Sequence, residues 1–161
     1  SRQGESDFHS MTMTKSGVVA FDGTLRTSPD GKDWYTSTAA FRPAVLAGDP
    51  GSDTVLATTQ EGLQRSTDGG KTWALLASAP LVQFAAFATP TDAIGIEPTG
   101  AVHHSADGGV TWSRKGSVNG EIQAVTTAEA ADGQLKIWAA TGDGVLVSED
   151  GGATFAPYNP A

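Results

Sequence analysis

The sequence predicts an all-β fold, a propeller or partial propeller of four four-stranded blades. Three observations carry this: a turn motif that recurs four times, the even spacing of its copies, and a composition rich in turn residues. The full motif reads Ser66-Thr67-Asp68-Gly69-Gly70-Lys71-Thr72-Trp73, Ser105-Ala106-Asp107-Gly108-Gly109-Val110-Thr111-Trp112 and Ser148-Glu149-Asp150-Gly151-Gly152-Ala153-Thr154-Phe155. A shortened copy, Ser28-Pro29-Asp30-Gly31-Lys32-Asp33-Trp34, comes first. The closing aromatics stand at 34, 73, 112 and 155, so the copies step by 39, 39 and 43 residues. One aromatic-bearing turn every 40 or so residues is the period of a propeller blade. The 161 residues include 20 Gly and 8 Pro, which suits a turn-rich β protein.

Each repeat divides into four short strands. The first repeat gives Phe8–Met13, Val18–Phe21, Leu25–Ser28 and Trp34–Ser37. In the second, apolar Ala44–Ala47 is followed by the turn Asp49-Pro50-Gly51-Ser52 and by Thr54–Thr59. Glu61-Gly62 then turns the chain into Leu63–Ser66, the motif, and Trp73–Ala77. The third gives Val82–Phe87, Ala93–Ile96, Val102–Ser105 and Trp112–Lys115. The fourth gives Ile122–Thr127, Leu135–Ala140, Val145–Ser148 and Phe155–Tyr158, and Ala131-Asp132-Gly133 accounts for its longer step. A glycine precedes every third strand: Gly23, Gly62, Gly100 and Gly144. Strands of this length between turn residues, with no helical periodicity, fit an all-β chain. The blades run approximately over 5–40, 41–79, 80–118 and 119–161. The chain reads as a single propeller segment, expected to belong to a larger propeller because an open terminal blade would expose unpaired edge and ring surface.

Each residue type in the motif has a mechanical role. Asp30, Asp68, Asp107 and Asp150 can accept hydrogen bonds from backbone N–H groups a few residues on, closing Asx-type turns. The two glycines supply positive φ. Trp34, Trp73, Trp112 and Phe155 bury a ring against a neighbouring blade. The first copy, one glycine short and with Asp33 in the place of Thr72, is expected to be distorted. Calcium loops are the competing reading, but calcium takes about six to eight oxygens from several carboxylates. Each turn offers one fixed Asp, so the motif reads as structural, with no metal and no cofactor. His103 and His104 are adjacent on a strand and point to opposite faces, so they cannot jointly chelate. The expectation is one packed and one exposed.

A formal charge of −8 and a pI near 4.6 make nucleic acid and anionic membrane surfaces poor partners. The sequence holds no apolar run long enough to span a bilayer and no visible secretory signal. The absence of Cys excludes a disulfide framework.

The recurring turn resembles the Asp-box, or BNR repeat, of sialidase-like propellers. That repeat is shared with sortilin-type receptors, photosystem II assembly factors related to Ycf48 and some xyloglucan hydrolases. The chain also resembles the C-terminal half of bacterial BNR-repeat glycosyl hydrolase-like proteins. The shared stretches are Glu5-Ser6-Asp7-Phe8-His9-Ser10, Phe21-Asp22-Gly23-Thr24-Leu25 and Val55-Leu56-Ala57-Thr58-Thr59-Gln60-Glu61-Gly62-Leu63. The resemblance implies an extracellular or envelope location and further blades N-terminal to this segment. It also invites a glycosidase reading. Sialidase-like catalysis would need an arginine cluster, a Tyr nucleophile assisted by Glu, and an acid Asp. Arg26 and Arg65 fall on third strands and Arg114 on a fourth; only Arg42, in Phe41-Arg42-Pro43, stands where a first strand begins. Tyr35 and Tyr158 fall beside the fourth-strand aromatics, where they pack. By the same resemblance the boxes lie on the face opposite an active site, so their aspartates are not catalytic candidates.

A ligand face would gather the loops entering the first strands and the turns between second and third strands. The first set offers Asp7, His9, Arg42, Gln83, Glu121 and Gln123. The second offers Asp22, Glu61, Glu97 and Asp143. The candidate binding residues are therefore His9, Asp22, Arg42, Glu61, Gln83, Glu121, Gln123 and Asp143, with no catalytic set. This acidic rim suits a cationic or hydroxyl-rich partner, carbohydrate or protein. The chain reads as a non-catalytic binding or assembly scaffold, open to self-association or completion by further blades. The alternative is a glycoside hydrolase-like domain with an incomplete catalytic set, in which Glu121 and Asp143 could form a carboxylate pair.

Overall fold

The computed structural model describes residues 10–21, 23–37 and 41–158. Among them the chain forms sixteen strands and no helix. The first blade comprises β1 (Ser10–Thr14), β2 (Gly17–Phe21), β3 (Leu25–Ser28) and β4 (Tyr35–Thr36). The second comprises β5 (Val45–Gly48), β6 (Val55–Thr59), β7 (Gly62–Ser66) and β8 (Ala74–Leu76). The third comprises β9 (Phe84–Phe87), β10 (Ala93–Ile96), β11 (Ala101–Ser105) and β12 (Ser113–Ser117). The fourth comprises β13 (Ile122–Glu129), β14 (Leu135–Thr141), β15 (Gly144–Ser148) and β16 (Ala156–Pro157). Each blade is one four-stranded antiparallel sheet paired in sequence order. The closing aromatics Trp34, Trp73, Trp112 and Phe155 stand one residue before the fourth strands, because the box holds their backbone outside the ladder.

The blades group into two compact units, Ser1–Ser78 and Ala79–Ala161. In the first, Val19, Phe21 and Leu25 of blade 1 pack with Leu46, Val55 and Ala57 of blade 2, and Phe41 and Trp73 lie against that cluster. In the second, Ile94, Ile96 and Val102 of blade 3 pack with Leu135, Ile137 and Ala139 of blade 4. Period-two alternation puts the residues of each cluster on one sheet face, and the second strands are buried on the other face as well: β6 and β10 each hold four consecutive buried residues, and Ala20, Leu56 and Ala93 on the opposite face are fully buried. At the first strands Gly48 comes so close to β1 that an added Cβ would stand 2.7 Å from the Met13 carbonyl oxygen.

The boxes are built around a buried serine as much as around the aspartate. Ser66, Ser105 and Ser148 are each 1% exposed. The Ser66 hydroxyl accepts from the Gly70 N–H at 2.9 Å and donates to Asp68 Oδ1 at 2.7 Å. Asp68 Oδ1 then accepts the N–H groups of Lys71 and Thr72, and Oδ2 accepts the Thr72 hydroxyl at 2.5 Å. The third and fourth boxes repeat the serine and threonine bonds. The shortened first box contracts without losing its ladder. Ser28 Oγ accepts from Gly31, three residues on, and Asp30 Oδ1 accepts from Lys32 and Asp33. Its missing piece is the hydroxyl bond, because Asp33 has no hydroxyl to donate.

These donors stabilise the carboxylate form. The Thr154 hydroxyl, the Thr154 N–H and the Ser148 hydroxyl together lower the Asp150 pKa to about 2. The Thr111 hydroxyl leads the same effect on Asp107, which lies lower still. At Asp68, burial pushes upward, but the Thr72 hydroxyl and N–H outweigh it and the net shift is downward. At Asp30 the Asp33 and Lys32 N–H groups lower the value.

Within each unit the later box is seated on the earlier blade through its second glycine. Gly70 has φ 93° and Gly152 φ 99°. A Cβ on Gly70 would stand 2.9 Å from a Val19 methyl, and one on Gly152 would stand 2.9 Å from a Val102 methyl. The shortened first box lacks this second glycine, and nothing lies within 4 Å of where a Gly31 Cβ would be. The indole N–H of Trp73 donates to the Gly70 carbonyl at 2.8 Å, and Ser37, after β4, donates to the same oxygen at 2.7 Å. Trp112 caps Gly109 in the same way. Phe155 has no such donor. At the place matching Ser37, blade 3 has Gly116, so tight that a Cβ would lie 2.5 Å from the Gly152 and Ala153 carbonyl oxygens.

Candidate ligand-binding clefts

The turns opposite the boxes, where second strands pass into third strands, border two clefts of matching construction. The first has a volume of about 800 Å³. Its walls are the segment Phe41-Arg42-Pro43-Ala44, the turn Thr59-Gln60-Glu61, and the cleft-facing side chains Gln64, Trp73 and Leu75 of blade 2. Gln64 and Leu75 are cross-strand partners and Trp73 is two residues from Leu75, so all three project from one face. Phe41 meets Trp73 edge to face, with centroids 5.3 Å apart and planes at 86°. This geometry suits the aromatic quadrupoles and fixes both rings. The Arg42 guanidinium lies 5.9 Å from the centre of the Phe21 ring, which orients it at the rim.

The second cleft, about 390 Å³, lies in the other unit and is lined by Ser117, Asn119, Thr141, Asp143, Gly144, Leu146, Phe155 and Pro157, with Val145 at its edge. Position by position, Thr141 matches Thr59, Asp143 matches Glu61, Leu146 matches Gln64, Phe155 matches Trp73 and Pro157 matches Leu75. The turns share a device: the threonine hydroxyl donates to the carbonyl of the glycine three residues on. The distance is 2.6 Å for Thr59 to Gly62 and 2.9 Å for Thr141 to Gly144. That bond holds the turn tight and leaves Glu61 and Asp143 exposed at the mouths.

The structure thus brings Arg42 and Glu61 into one cleft and puts Asp143 in its counterpart. Gln83, Glu121 and Gln123 are exposed and line neither. Gln83 is held through its backbone, its N–H donating to Ile96 at 2.8 Å, and Gln123 falls in a β13 register shift. His9 and Asp22 lie outside the described residues, as does Asp7. The two histidines differ from expectation: both are partly buried and both are paired. His103 Nε2 meets Glu97 Oε2 at 2.6 Å, and His104 Nε2 meets Asp92 Oδ1 at 3.0 Å. Their opposite directions along β11 send each to a different turn of the blade. Among the described residues no three His, Asp or Glu side chains gather as a metal site.

Phe41, Gln60, Gln64 and Leu75 were not among the candidates read from the sequence, and Trp73 was assigned only a packing role. The signal for them was present in the alternation Trp73-x-Leu75 on an uncharged fourth strand. On the box side, a recess of about 500 Å³ is lined by Tyr35, Thr72 and Asp68. The Asp68 oxygens there are already engaged within the turn.

A model of the BNR/Asp-box repeat matches residues 64–75, the second box with its flanking strands. These are BNR/Asp-box repeats on a β-propeller. No curated protein matches the sequence. Among solved structures, this chain is similar to YCF48 from Cyanidioschyzon merolae, at 18% identity and a TM-score of 0.67 over 98% of this chain and 57% of that one. YCF48 bound to a D1 peptide matches at 17% identity and a TM-score of 0.69, over 97% of this chain and 55% of that one. An ancestral GH74 enzyme matches at 18% identity and a TM-score of 0.69, over 92% of this chain and 23% of that one. The BNR-repeat segment therefore spans little more than half the length of the YCF48 chains and about a quarter of the enzyme. At these identities the likeness is one of fold, shared alike by hydrolases and by YCF48.

Proposed function

We propose that this propeller segment is a non-catalytic scaffold that binds a ligand in the clefts of blades 2 and 4, on the side opposite the boxes. The observation that carries the reading is the composition of those clefts. Each combines a fixed aromatic ring, a threonine-locked turn and a single carboxylate: Glu61 in one, Asp143 in the other. Glycoside hydrolysis ordinarily needs two carboxyl groups about 5–10 Å apart. One carboxylate beside an aromatic wall is instead the equipment of recognition, with the ring supplying contact area and the charge supplying selectivity. A protein ligand is favoured by the likeness to YCF48, which has been seen with a D1 peptide. A carbohydrate would use the same aromatic wall with Gln60 and Gln64. An exported or envelope setting, and completion of the propeller by further blades or by a second copy, belong to the same proposal.

The glycoside hydrolase-like alternative is favoured by the fold shared with GH74 enzymes. Assays of aryl glycosides and aryl sialosides separate the two. The scaffold reading expects no turnover, with Glu61→Gln and Asp143→Asn changing ligand affinity only. Turnover that Glu121→Gln or Asp143→Asn abolishes would establish the hydrolase instead.

A further inference from the structure

We propose that the outer edge of β8 receives an extended polypeptide segment as a fifth strand of blade 2, with Leu75 as its pairing site. The proposal rests on the scaffold reading above and names the partner class of its larger cleft.

The backbone argument starts at the turn. Gln60-Glu61 is a two-residue turn, so Thr59 and Gly62 form a hydrogen-bonded pair. Alternation then directs the peptide groups of Gln64 and Ser66 toward β6 and those of Leu63 and Arg65 toward β8. In the register Leu63↔Leu76, Gln64↔Leu75, Arg65↔Ala74, the middle pair is the one without ladder bonds. The N–H and C=O of Leu75 therefore point away from β7. The same alternation appears elsewhere: Ser37 donates to Leu25 and Tyr158 to Val145, both at 2.8 Å. Leu75 thus offers one donor and one acceptor at the sheet edge, the pair of groups an antiparallel strand satisfies together.

The four blades treat this outward position differently. It lies two residues after each closing aromatic and holds Thr36, Leu75, Arg114 and Pro157. Proteins blunt exposed edges with charge, with proline, with bulges or with very short strands. Arg114 is a charge beside a register shift, and Pro157 has no N–H to offer. Thr36 belongs to a strand of only two residues. Ala74-Leu75-Leu76 carries no charge, proline or bulge and is one residue longer than β4, and Leu75 is 47% exposed. The open edge also borders the larger cleft. A side chain opposite Leu75 would sit on that cleft face, within reach of the Trp73 and Phe41 wall. A strand with an apolar residue at that position fits both the hydrogen-bonding groups and the surface.

The test is selection of a displayed library of short random peptides on the whole chain, followed by titration of resynthesised winners and amide hydrogen exchange. The expected result is enrichment of sequences with apolar residues at alternate positions, slowed exchange at the Leu75 N–H, and a Trp73 fluorescence change. Leu75→Pro copies the residue at the matching place in blade 4; it removes the outward N–H and the leucine side chain but no ladder bond. It should weaken binding about tenfold or more, the equivalent of one hydrogen bond with its contact. Leu75→Lys should weaken it as well, and it keeps the test decisive if the proline variant does not fold. Enrichment of no peptide, or peptides that bind while the Leu75 N–H exchanges as in the free protein, overturns the proposal. Either result leaves the scaffold reading standing, since only glycoside turnover removes that. A concentration-dependent dimer that Leu75→Lys dissolves would make the occupant a second copy and would also overturn it.

Discussion

A carboxylate in a box has its oxygens engaged by the turn it closes. Asp68 accepts from two N–H groups and two hydroxyls, one of them the Ser66 hydroxyl, which in turn accepts from Gly70. Gly70 is the residue on which two demands meet: positive φ and contact with Val19. Gly70→Ala should therefore destabilise by about 2–4 kcal/mol, combining left-handed strain with overpacking. Gly31 has φ 77° but open space around it. Gly31→Ala should cost only the backbone term, about 1 kcal/mol. Chemical denaturation of the two variants measures the difference. Equal losses would show that the contact with Val19 contributes nothing. The demand for positive φ was readable from the Asp-Gly-Gly sequence. The second demand was not, since Val19 is 51 positions away in the chain.

At the scale of the strand, the fourth strands are where the blades diverge. First strands run from four residues in β5 to eight in β13, and the outermost ones from two in β4 to five in β12, but only the outermost also differ in how they treat their free edge. Within the two units the next box is met differently: Ser37 hydrogen-bonds the Gly70 and Lys71 carbonyls, whereas Gly116 approaches the Gly152 and Ala153 carbonyls with no side chain. Ser37→Ala should cost about 1–2 kcal/mol in urea unfolding, since Ser37 is buried and donates to main-chain oxygens. Pro157→Leu gives β16 an outward N–H but leaves it two residues long, as β4 is. Peptides selected on the parent chain should therefore still bind at one site per molecule in calorimetric titration, and a second site would show that the outward N–H alone is the barrier.

For the whole molecule, the lowered box carboxylates set the acid response. A carboxyl group whose folded pKa lies below its ordinary value contributes stability that is fully present above that value and is lost as pH falls through the folded one. For Asp150 the ordinary value is 3.8 and the folded one about 2. The contribution of Asp150 to thermal stability should therefore be fully present above about pH 5 and be lost progressively toward pH 2. Asp150→Asn should lower the plateau and shallow that decline, which melting curves across the range will show. In the core, Leu56 is fully buried, and Leu56→Ala should cost about 2–5 kcal/mol.

The blade count, the strand order and the box turns follow from the sequence alone. They depend on turn and strand patterns set by local backbone preferences over a few positions, and on the recurrence of those patterns about every 40 residues. The candidate site divides differently. Arg42, Glu61 and Asp143, assigned from turn positions, line the two clefts, whereas Gln83, Glu121 and Gln123 stand on similar loops and line neither. Only tertiary structure decided that Phe41 meets Trp73, that Gln64 shares their wall, and that the peptide groups of Leu75 point outward. Those relations depend on register and blade packing, which join residues distant in the chain, and a one-residue slip would turn every one of them to the opposite face.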